Sequence, residues 1–410
     1  MKTKKTILIL AALVSAATTF AQDKVKVEIE NTEGGTFTIS PEIPSDGMVA
    51  KGTVFTVTAK PEKGYVFDCA FQGTKHQWGT FYNETNDNPG KIVADHNITI
   101  GAAFLPESNF KDIEVTKNVV YAKPGKKELK YDVYAPKKAK SLPIVVIVHG
   151  GGWSSNVEDI MRGMGREIAK SGRYIAVSID YRFIGKGDGE ETPVEMYQII
   201  EDVYGAIAHI MEHAAEYGGD PTRIFITGDS AGGHLSAAAI NFADYIGDGG
   251  FGRTAGVYEF KPTYLPAGKS VETVKKEMCK AFLGAVPTYP VLTDDVMKRF
   301  YSTDSLSAMH VSPICFIPQR SVRAVPQMIL RGRNDDLIRD WQMAKYCDAM
   351  TKAGQDVKYI QIGGIGHAFL DWRHDDNSKK TFARFAMPQI KEMLLFFDDI
   401  LQNRGKATRL

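Results

Sequence analysis

The sequence predicts an α/β domain built on a largely parallel central sheet, preceded by a small all-β module. Short alternating runs without a helical period fill residues 24–105, whereas near-continuous apolar strands alternate with amphipathic helices over residues 112–403. Alternating runs are typical of strands with one exposed face, and continuous apolar strands are typical of a parallel sheet that is covered on both faces. A chain of 410 residues is long enough to hold both parts.

The first residues have the pattern of a secretory signal peptide. Three lysines within the first five residues precede a short apolar run, and Ala21 offers a small residue before the cleavage position. The run is too short for a membrane span, and no cysteine follows it to carry a lipid anchor. We therefore expect removal of residues 1–21, no membrane span in the mature chain, and a secreted or periplasmic location.

The amino-acid composition of the chain argues against some classes of binding partner. The chain is 43% hydrophobic and 24% charged, with a formal net charge of +1. These values are ordinary for a globular protein and give no basic field for nucleic acid. The four cysteines are widely and irregularly spaced, without a Cys-x-x-Cys pair. This spacing predicts no metal site and favours separate packed thiols.

Residues 24–105 are predicted to form the small all-β module. Apolar and polar residues alternate through the stretches KVKVEIEN, GGTFTIS, GTVFTVTAKPEKGYVFDCAF and HNITIGAAF. Glycine, proline and asparagine interrupt these stretches, as expected for short strands joined by turns.

Several short motifs of the module match a known bacterial repeat. They are Gly52-Thr53, Val57–Pro61, Gly64–Phe67 and the closing Ile98–Phe104. Together they resemble the divergent internalin-type B-repeat, although Cys69–Phe71 stands where such repeats often carry a Gly-Trp pair. The resemblance implies a spacer or a unit for surface or carbohydrate contact. The candidates for stacking on a sugar are His76, Trp78, Phe81 and Tyr82, although aromatic residues in a small β module are more often core residues.

From residue 112 onward, strand and helix signals alternate. The predicted strands are KYDVYAP, PIVVIVHGGGW, YIAVSIDYR, RIFITG, PQMILRG and VKYIQI. The predicted helices are a long amphipathic one that ends at Gly218, a second over AGGHLSAAAINFA, and a closing one from about Thr381 to Leu401. Ligands of such sheets bind at the carboxyl ends of the strands, so the loops at those ends are the candidates for a functional site.

The stretch Gly228-Asp229-Ser230-Ala231-Gly232 follows a predicted strand and opens a predicted helix. A G-x-S-x-G sequence in this setting is typical of a nucleophile elbow, a strained turn that exposes its serine. Glycines on both sides let the strand and the helix pass closely. We therefore predict Ser230 as a nucleophile, against the alternative that the glycines serve packing alone.

A serine hydroxyl needs a general base, and the base needs an acid that orients it. His367 follows the predicted strand VKYIQI, and Asp335 follows the predicted strand PQMIL, so the chain order is Ser, Asp, His. We favour Asp335 over the neighbouring Asp336 because it lies three residues after Gly332. His234 is a weaker candidate for the base and is predicted to be structural.

The stretch His149-Gly150-Gly151-Gly152-Trp153 leaves a predicted strand upstream of the elbow. Glycines at this place let backbone N–H groups approach a developing oxyanion. We predict the N–H group of Ala231, directly after the nucleophile, as one donor and this glycine loop as the source of the other. Trp153, fixed beside this loop, is predicted to contact substrate.

These motifs resemble the α/β-hydrolase family of hormone-sensitive-lipase-like carboxylesterases that includes feruloyl and acetyl esterases. The resemblance spans residues 130–401 and rests on HGGGW, DYR, DPTRIFITGDSAGGHLS, SPICFI, LRGRNDDL and GIGHAF. It implies Ser230 as nucleophile, His367 as general base and acid, and Asp335 as orienting acid. It also implies the N–H groups of Gly151, Gly152 and Ala231 as the donors to the oxyanion. One departure is Arg331-Gly332, where relatives often have His-Gly. The trio Asp180, Arg182 and Asp202 is predicted to be structural.

Residues 242–323 exceed a minimal connection and are predicted to form a partial lid, a usual role for long insertions. Tyr258 within this segment is predicted to line the substrate pocket together with Trp153.

The predicted function is a secreted serine esterase without a metal or organic cofactor. The predicted substrates are acetyl or feruloyl esters of plant polysaccharide, or related small esters, by analogy with the family. Two alternatives stay open from the sequence. One is a serine peptidase of the dipeptidyl-peptidase type, and the other is a non-catalytic protein that binds carbohydrate or a surface on a hydrolase scaffold.

Overall fold

The structure, a computed structural model, describes residues 23–77, 79–247, 260–301 and 305–407. The predicted signal peptide and the predicted pocket residue Tyr258 lie outside these residues. The chain divides into two compact units. One comprises the described residues up to Glu62 together with Cys69–Phe104, and the other comprises Lys63–Asp68 together with the described residues from Leu105 onward.

The N-terminal region is all-β, as the sequence predicts. Its strands are β1 (Lys24–Ile29), β2 (Gly35–Ser40), β3 (Met48–Ala50), β4 (Thr53–Pro61), β5 (Tyr65–His76), β6 (Gly79–Thr85), β7 (Gly90–Ala94) and β8 (Ile98–Pro106). One sheet has the order β3-β1-β8-β5-β6, and the other has the order β2-β4-β7. Along β4, Phe55, Val57 and Ala59 are buried while their neighbours are more exposed, which is the period-two pattern that the alternating sequence predicts.

The second unit contains a larger sheet. Its strands are β9 (Ile113–Ala122), β10 (Leu129–Pro136), β11 (Leu142–Val148), β12 (Ile175–Ile179), β13 (Gly219–Asp229), β14 (Phe282–Thr288), β15 (Gln327–Gly332) and β16 (Val357–Ile362). The sheet order is β16-β15-β14-β13-β11-β12-β10-β9. The pairs from β12 to β16 are parallel, whereas β10 pairs antiparallel with β12 and with β9. The prediction of a largely parallel central sheet is therefore confirmed.

Helices connect these strands. They are α1 (Arg162–Lys170), α2 (Met196–His213), α3 (Ala231–Phe242), α4 (Val271–Ala281), α5 (Asp294–Tyr301), α6 (Ser305–His310), α7 (Asp340–Lys352), α8 (Asp376–Thr381) and α9 (Met387–Ala407). The regular part of α2 ends before the predicted stop. A 3₁₀ turn over Ala214–Tyr217 follows it, and Gly218 then reverses the chain at φ 74°. The predicted closing helix is divided, because a π-helical stretch over Phe382–Ala386 separates α8 from α9.

The central strands form the core of the second unit. Val145 to Val148 on β11 are fully buried, as are Phe225 and Ile226 on β13. Burial of both strand faces explains why these segments read as continuous apolar runs rather than alternating ones.

Part of the predicted lid segment lies in this sheet. The strand β14 pairs with β13 and β15, and every residue of it is buried. Only the stretches on either side of β14 thus remain candidates for a lid. The run FLGAVP follows the helical stretch VKKEMCKA without a turn residue between them, so the sequence offers little to separate this core strand from the helix before it.

No helix within the described residues is long and apolar enough to cross a membrane. None of the four cysteines, all of which lie within the described residues, is in a disulfide; Cys69 is buried, and Cys279, Cys315 and Cys347 are partly buried. The expectation of separate packed thiols is confirmed.

Candidate active site

The parallel strands bring the predicted functional loops to one edge of the sheet. The stretch 149–153 follows β11, Ser230 follows β13, Asp335 follows β15 and His367 follows β16. Parallel neighbours end on the same side, so loops that are more than a hundred residues apart in sequence meet there.

Ser230 sits on a sharp turn between β13 and α3. Its backbone has φ 52° and ψ −114°, a conformation that costs a non-glycine residue free energy. A Cβ atom on Gly232 would lie 2.0 Å from the carbonyl oxygen of Val148, and one on Gly228 would lie 2.5 Å from that same oxygen. Both glycines are therefore required by the close passage of β11 beneath the elbow.

The three residues predicted as a triad form a continuous chain of hydrogen bonds. His367 Nε2 lies 2.8 Å from Ser230 Oγ, and His367 Nδ1 lies 2.7 Å from Asp335 Oδ2. A carboxylate can only accept, so Nδ1 carries a proton and Nε2 is left to accept the serine proton. This tautomer is the one that a general base for Ser230 needs.

The turn around Asp335 holds its carboxylate ionised and oriented. The N–H groups of Leu337 and Ile338 both donate to Oδ1 at 2.9 Å, and His367 occupies Oδ2. Burial raises the pKa of Asp335, but the hydrogen bonds from His367 and from the two backbone N–H groups outweigh it and lower the pKa below its usual value. Asp336, the rival in sequence, is 93% exposed and pairs with Arg339.

Arg331 explains how this chain supports the turn without the His-Gly pair that relatives often have. Its buried guanidinium donates to the carbonyl oxygen of Asp335 at 2.8 Å and to that of Ile338 at 2.6 Å. A Cβ atom on Gly332 would lie 2.3 Å from the carbonyl oxygen of Gly366, so a glycine there lets the aspartate turn approach the histidine loop.

The glycine loop after β11 has a left-handed backbone at its predicted donors. Gly151 has φ 112° and Gly152 has φ 59°. The carbonyl of Gly151 accepts from Ser154 N–H at 3.1 Å and from Ser155 Oγ at 2.8 Å, which closes the loop on itself. Ala231 begins α3, where the first N–H groups have no partner within the helix. These positions are suited to donate to an oxyanion beside Ser230.

Gly151→Ala is expected to lower kcat by about 10²–10³-fold, the range seen when an oxyanion donor is lost. A Cβ atom on Gly151 would lie 2.1 Å from the carbonyl oxygen of Ser155, so the loop must shift. The comparison variant is Gly152→Ala, whose Cβ would meet nothing within 4 Å, so that its cost is limited to the strain of an alanine at φ 59°. Steady-state kinetics on p-nitrophenyl acetate measure both variants. Equal losses in the two would contradict the steric explanation.

Trp153 is 5% exposed and offers a substrate little surface. Its indole N–H donates to His234 Nδ1 at 3.2 Å, and His234 Nε2 lies 2.7 Å from the carbonyl oxygen of Val311. Burial lowers the pKa of His234 to about 4, so the imidazole is neutral at neutral pH. His234 thus joins the glycine loop to the segment after α6 and lies outside the Ser230 hydrogen-bond chain.

Sequence reasoning missed two polar side chains beneath this site, Asp229 and Tyr289. Both are buried, and they lie within hydrogen-bonding distance of each other. The only signal for Asp229 was its place between Gly228 and Ser230, and nothing in the sequence marked Tyr289, because the strand before it was not predicted.

The charged residues near the DYR motif form ion pairs. Arg182 binds Asp202 through two nitrogens at 2.8 Å, and Lys127 Nζ lies 2.9 Å from Asp180. Asp180 also faces His149 Nε2 at 3.3 Å, behind the glycine loop. These ion pairs agree with the expectation that Asp180, Arg182 and Asp202 have a structural role.

The aromatic residues predicted to stack on a sugar in the N-terminal module differ in how exposed their side chains are. Phe81 is 62% exposed and packs edge-on to His76, with ring centroids 5.0 Å apart. Tyr82 packs against the buried Phe71, and Trp78 lies outside the described residues. Tyr82 thus packs against the core of the module, whereas Phe81 is exposed to solvent.

Residues 131–244 match the BD-FAE family, and residues 25–108 match the divergent InlB B-repeat domain. The chain is 38% identical to the carboxylesterase NlhH of Mycobacterium tuberculosis over 256 residues, which are 60% of this chain and 73% of that protein. The chain belongs to the carboxylesterase family. It is also 33% identical to a probable isoprenylcysteine alpha-carbonyl methylesterase of Oryza sativa, over 72% of this chain and 71% of that one. As a member of this family, the chain is a carboxylic ester hydrolase.

Solved esterases share the fold. Esterase 2 of Thermogutta terrifontis matches with a TM-score of 0.50 and 23% identity, over 70% of this chain and 95% of that chain. Esterase B of Lactobacillus rhamnosis matches with a TM-score of 0.53 and 18% identity, over 73% of this chain and 91% of that chain. These likenesses identify the second unit's sheet as that of an α/β-hydrolase.

Proposed function

We propose that this carboxylesterase is an exported serine esterase that acts through Ser230, His367 and Asp335. The observation that carries the proposal is the unbroken hydrogen-bond chain from Ser230 Oγ to the Asp335 carboxylate. Each residue follows the end of a different strand, and the bond polarity leaves His367 Nε2 able to accept the serine proton.

Acylation begins when Ser230 Oγ attacks the ester carbonyl carbon and His367 Nε2 takes its proton. The carbonyl oxygen becomes an oxyanion, which receives hydrogen bonds from the N–H groups of Gly151, Gly152 and Ala231. Asp335 stays ionised and stabilises the imidazolium. The tetrahedral intermediate then expels the alcohol, which takes the proton from His367 Nε2, and an acyl-serine remains.

Deacylation repeats these steps with water as the nucleophile. His367 removes a proton from the water, and the resulting hydroxide attacks the acyl carbonyl. Collapse of the second intermediate releases the carboxylic acid and returns the proton to Ser230 Oγ. No step requires a group beyond the chain's own residues and water.

The proposed substrates are acetyl or feruloyl esters of plant polysaccharide, or related small esters. The match to the BD-FAE family supports this choice. The B-repeat match supports an accessory module at residues 24–105 ahead of a catalytic domain at 112–403. We further propose that residues 1–21 direct export, which would place the enzyme where such polymers occur.

Active-site titration tests the mechanism. A p-nitrophenyl alkylphosphonate should release about one equivalent of p-nitrophenol per chain and leave a phosphonyl mass on the peptide that contains Ser230. Labelling of another residue, or none at all, would overturn the proposed nucleophile.

A substrate panel tests the chemical class. Residues 22–410 should hydrolyse p-nitrophenyl acetate and p-nitrophenyl ferulate faster than p-nitrophenyl octanoate, and should leave an Ala-Pro-p-nitroanilide intact. A preference for octanoate would reject the acetyl or feruloyl assignment. Cleavage of the anilide alone would instead support the peptidase alternative.

A further inference from the structure

The hydroxyl of Tyr289 lies between two catalytic loops. Tyr289 is fully buried and directly follows β14. Its Oη receives a hydrogen bond from Leu370 N–H at 3.2 Å, on the loop that carries His367. The same hydroxyl lies 3.3 Å from Asp229 Oδ2, on the nucleophile elbow. Its ring centroid is 4.6 Å from that of His367.

Asp229 extends this connection to the glycine loop. Its Oδ1 accepts from Gly150 N–H at 2.6 Å. A Cβ atom on Gly150 would lie 2.5 Å from Asp229 Oδ2, so the carboxylate fills the space beneath that loop. A hydrogen-bond path therefore runs from Leu370 through Tyr289 and Asp229 to Gly150, beneath Ser230.

The polarity of the path is fixed at both ends. Leu370 N–H and Gly150 N–H can only donate, so the Tyr289 hydroxyl accepts from the first and turns its own proton to Asp229. Burial raises the pKa of Tyr289 well above its usual value, so the hydroxyl keeps that proton. Burial and the nearby Asp371 raise the pKa of Asp229, whereas the bonds from Gly150 and Tyr289 oppose this change.

The backbone around Tyr289 is held on both sides. Its N–H donates to the Leu330 carbonyl at 2.6 Å, and the preceding Thr288 carbonyl accepts from Ser230 N–H at 2.9 Å. Tyr289 itself has φ 36°. A strained, doubly anchored residue gives its side chain little freedom, so its hydroxyl can act as a fixed spacer.

We infer that Tyr289 is a positioning residue whose hydroxyl fixes the histidine loop relative to the elbow and the glycine loop. The inference rests on the proposed triad. It assigns to Tyr289 no contact with substrate. Since small misplacements of reacting groups cost large factors in rate, loss of this spacer should appear in kcat rather than in KM.

The test is Tyr289→Phe, which removes the hydroxyl and keeps the ring beside His367. We expect kcat to fall about 10- to 100-fold while KM changes less than about twofold. Asp229→Asn should have a similar effect, because its amide nitrogen cannot accept the tyrosine proton while its oxygen can still accept from Gly150. The two losses should not add in the double variant.

Tyr346→Phe is the matched control. Tyr346 is also fully buried, and its hydroxyl also joins one donor, Asn241, to one acceptor, Gln327, away from the catalytic loops. The Tyr346→Phe variant should have a lower free energy of unfolding than the unmodified chain and an unchanged kcat. If Tyr289→Phe behaves the same way, the inference is overturned and the proposed triad stands. If hydrolysis instead survives Ser230→Ala, the proposed function fails and the inference falls with it.

Discussion

Replacing Ser230 by alanine is expected to lower kcat for ester hydrolysis on the order of 10⁶-fold, the loss found when a serine nucleophile of this type is removed. The variant keeps the backbone and loses only Oγ, which bonds His367 Nε2 at 2.8 Å. Without that oxygen no acyl-serine forms, and only oxyanion stabilisation of a direct water attack remains. The loss of kcat is measured with p-nitrophenyl acetate in continuous and in quenched assays, at matched protein concentrations.

Ser236→Ala is the control for this variant. Ser236 lies six residues further along, on α3, and its buried Oγ donates to the Gly233 carbonyl at 2.9 Å. Removing this hydroxyl deletes the same atoms from a nearby serine but leaves the catalytic hydrogen bonds in place. We expect its kcat to remain within about twofold of the unmodified chain. Comparable activity in Ser230→Ala and Ser236→Ala would exclude Ser230 as the nucleophile.

The elbow was predictable from sequence because its constraint is local. Gly228 and Gly232 flank Ser230 within five residues, and each occupies a place where a Cβ would strike a backbone oxygen. The strand before Ser230 and the helix after it also have clear sequence patterns. Together these features allowed the turn to be predicted without knowledge of any contact between residues distant in sequence.

The histidine and aspartate were predictable from topology rather than from local sequence. A parallel sheet places all carboxyl strand ends on one edge, so the loops after β15 and β16 had to approach the elbow. Spacing favoured Asp335, and the structure places Asp335 rather than Asp336 against His367. The catalytic roles of these residues stay predictions until the variants are measured.

The supporting contacts could not be predicted, because they join residues that are far apart in sequence. Tyr289 and Asp229 are separated by 60 positions, and Trp153 and His234 by 81. Neither pair belongs to a periodic pattern, and a buried tyrosine or histidine is ordinary in any core. Only the three-dimensional arrangement distinguishes these residues from packing.

The strand β14 was hidden for a different reason. The helix α4 ends at Ala281 and the strand begins at the next residue, Phe282, so no turn residue separates them. The hydrophobicity of this short run is also compatible with a buried segment of helix. Periodicity cannot separate these alternatives over so few residues. The boundaries proposed for the lid consequently included a strand of the central sheet.

Asp335→Asn is expected to lower kcat by about 10⁴-fold with KM little changed. The asparagine would present an amide N–H group where the carboxylate now accepts from His367 Nδ1. The imidazole would then favour the tautomer with its proton on Nε2, which cannot take the proton of Ser230. Asp336→Asn should leave kcat within about twofold, since Asp336 is 93% exposed and pairs only with Arg339 among the described ionic contacts. The reverse ranking of the two variants would reassign the orienting acid.

For Asp335→Asn we also expect a pH-dependent loss of folding stability. The pKa of Asp335 is lowered in the folded chain, so its ionised form stabilises the fold at pH values above the unfolded pKa of about 3.9. That contribution is lost as the pH falls from about 4 through the lower folded value. Thermal unfolding should therefore show Asp335→Asn less stable than the unmodified chain at pH 7, with the difference shrinking below about pH 4. A stability difference between the two proteins that does not change with pH would mean that the charge of the Asp335 carboxylate does not stabilise the fold. Asp335 would then orient His367 through its position alone.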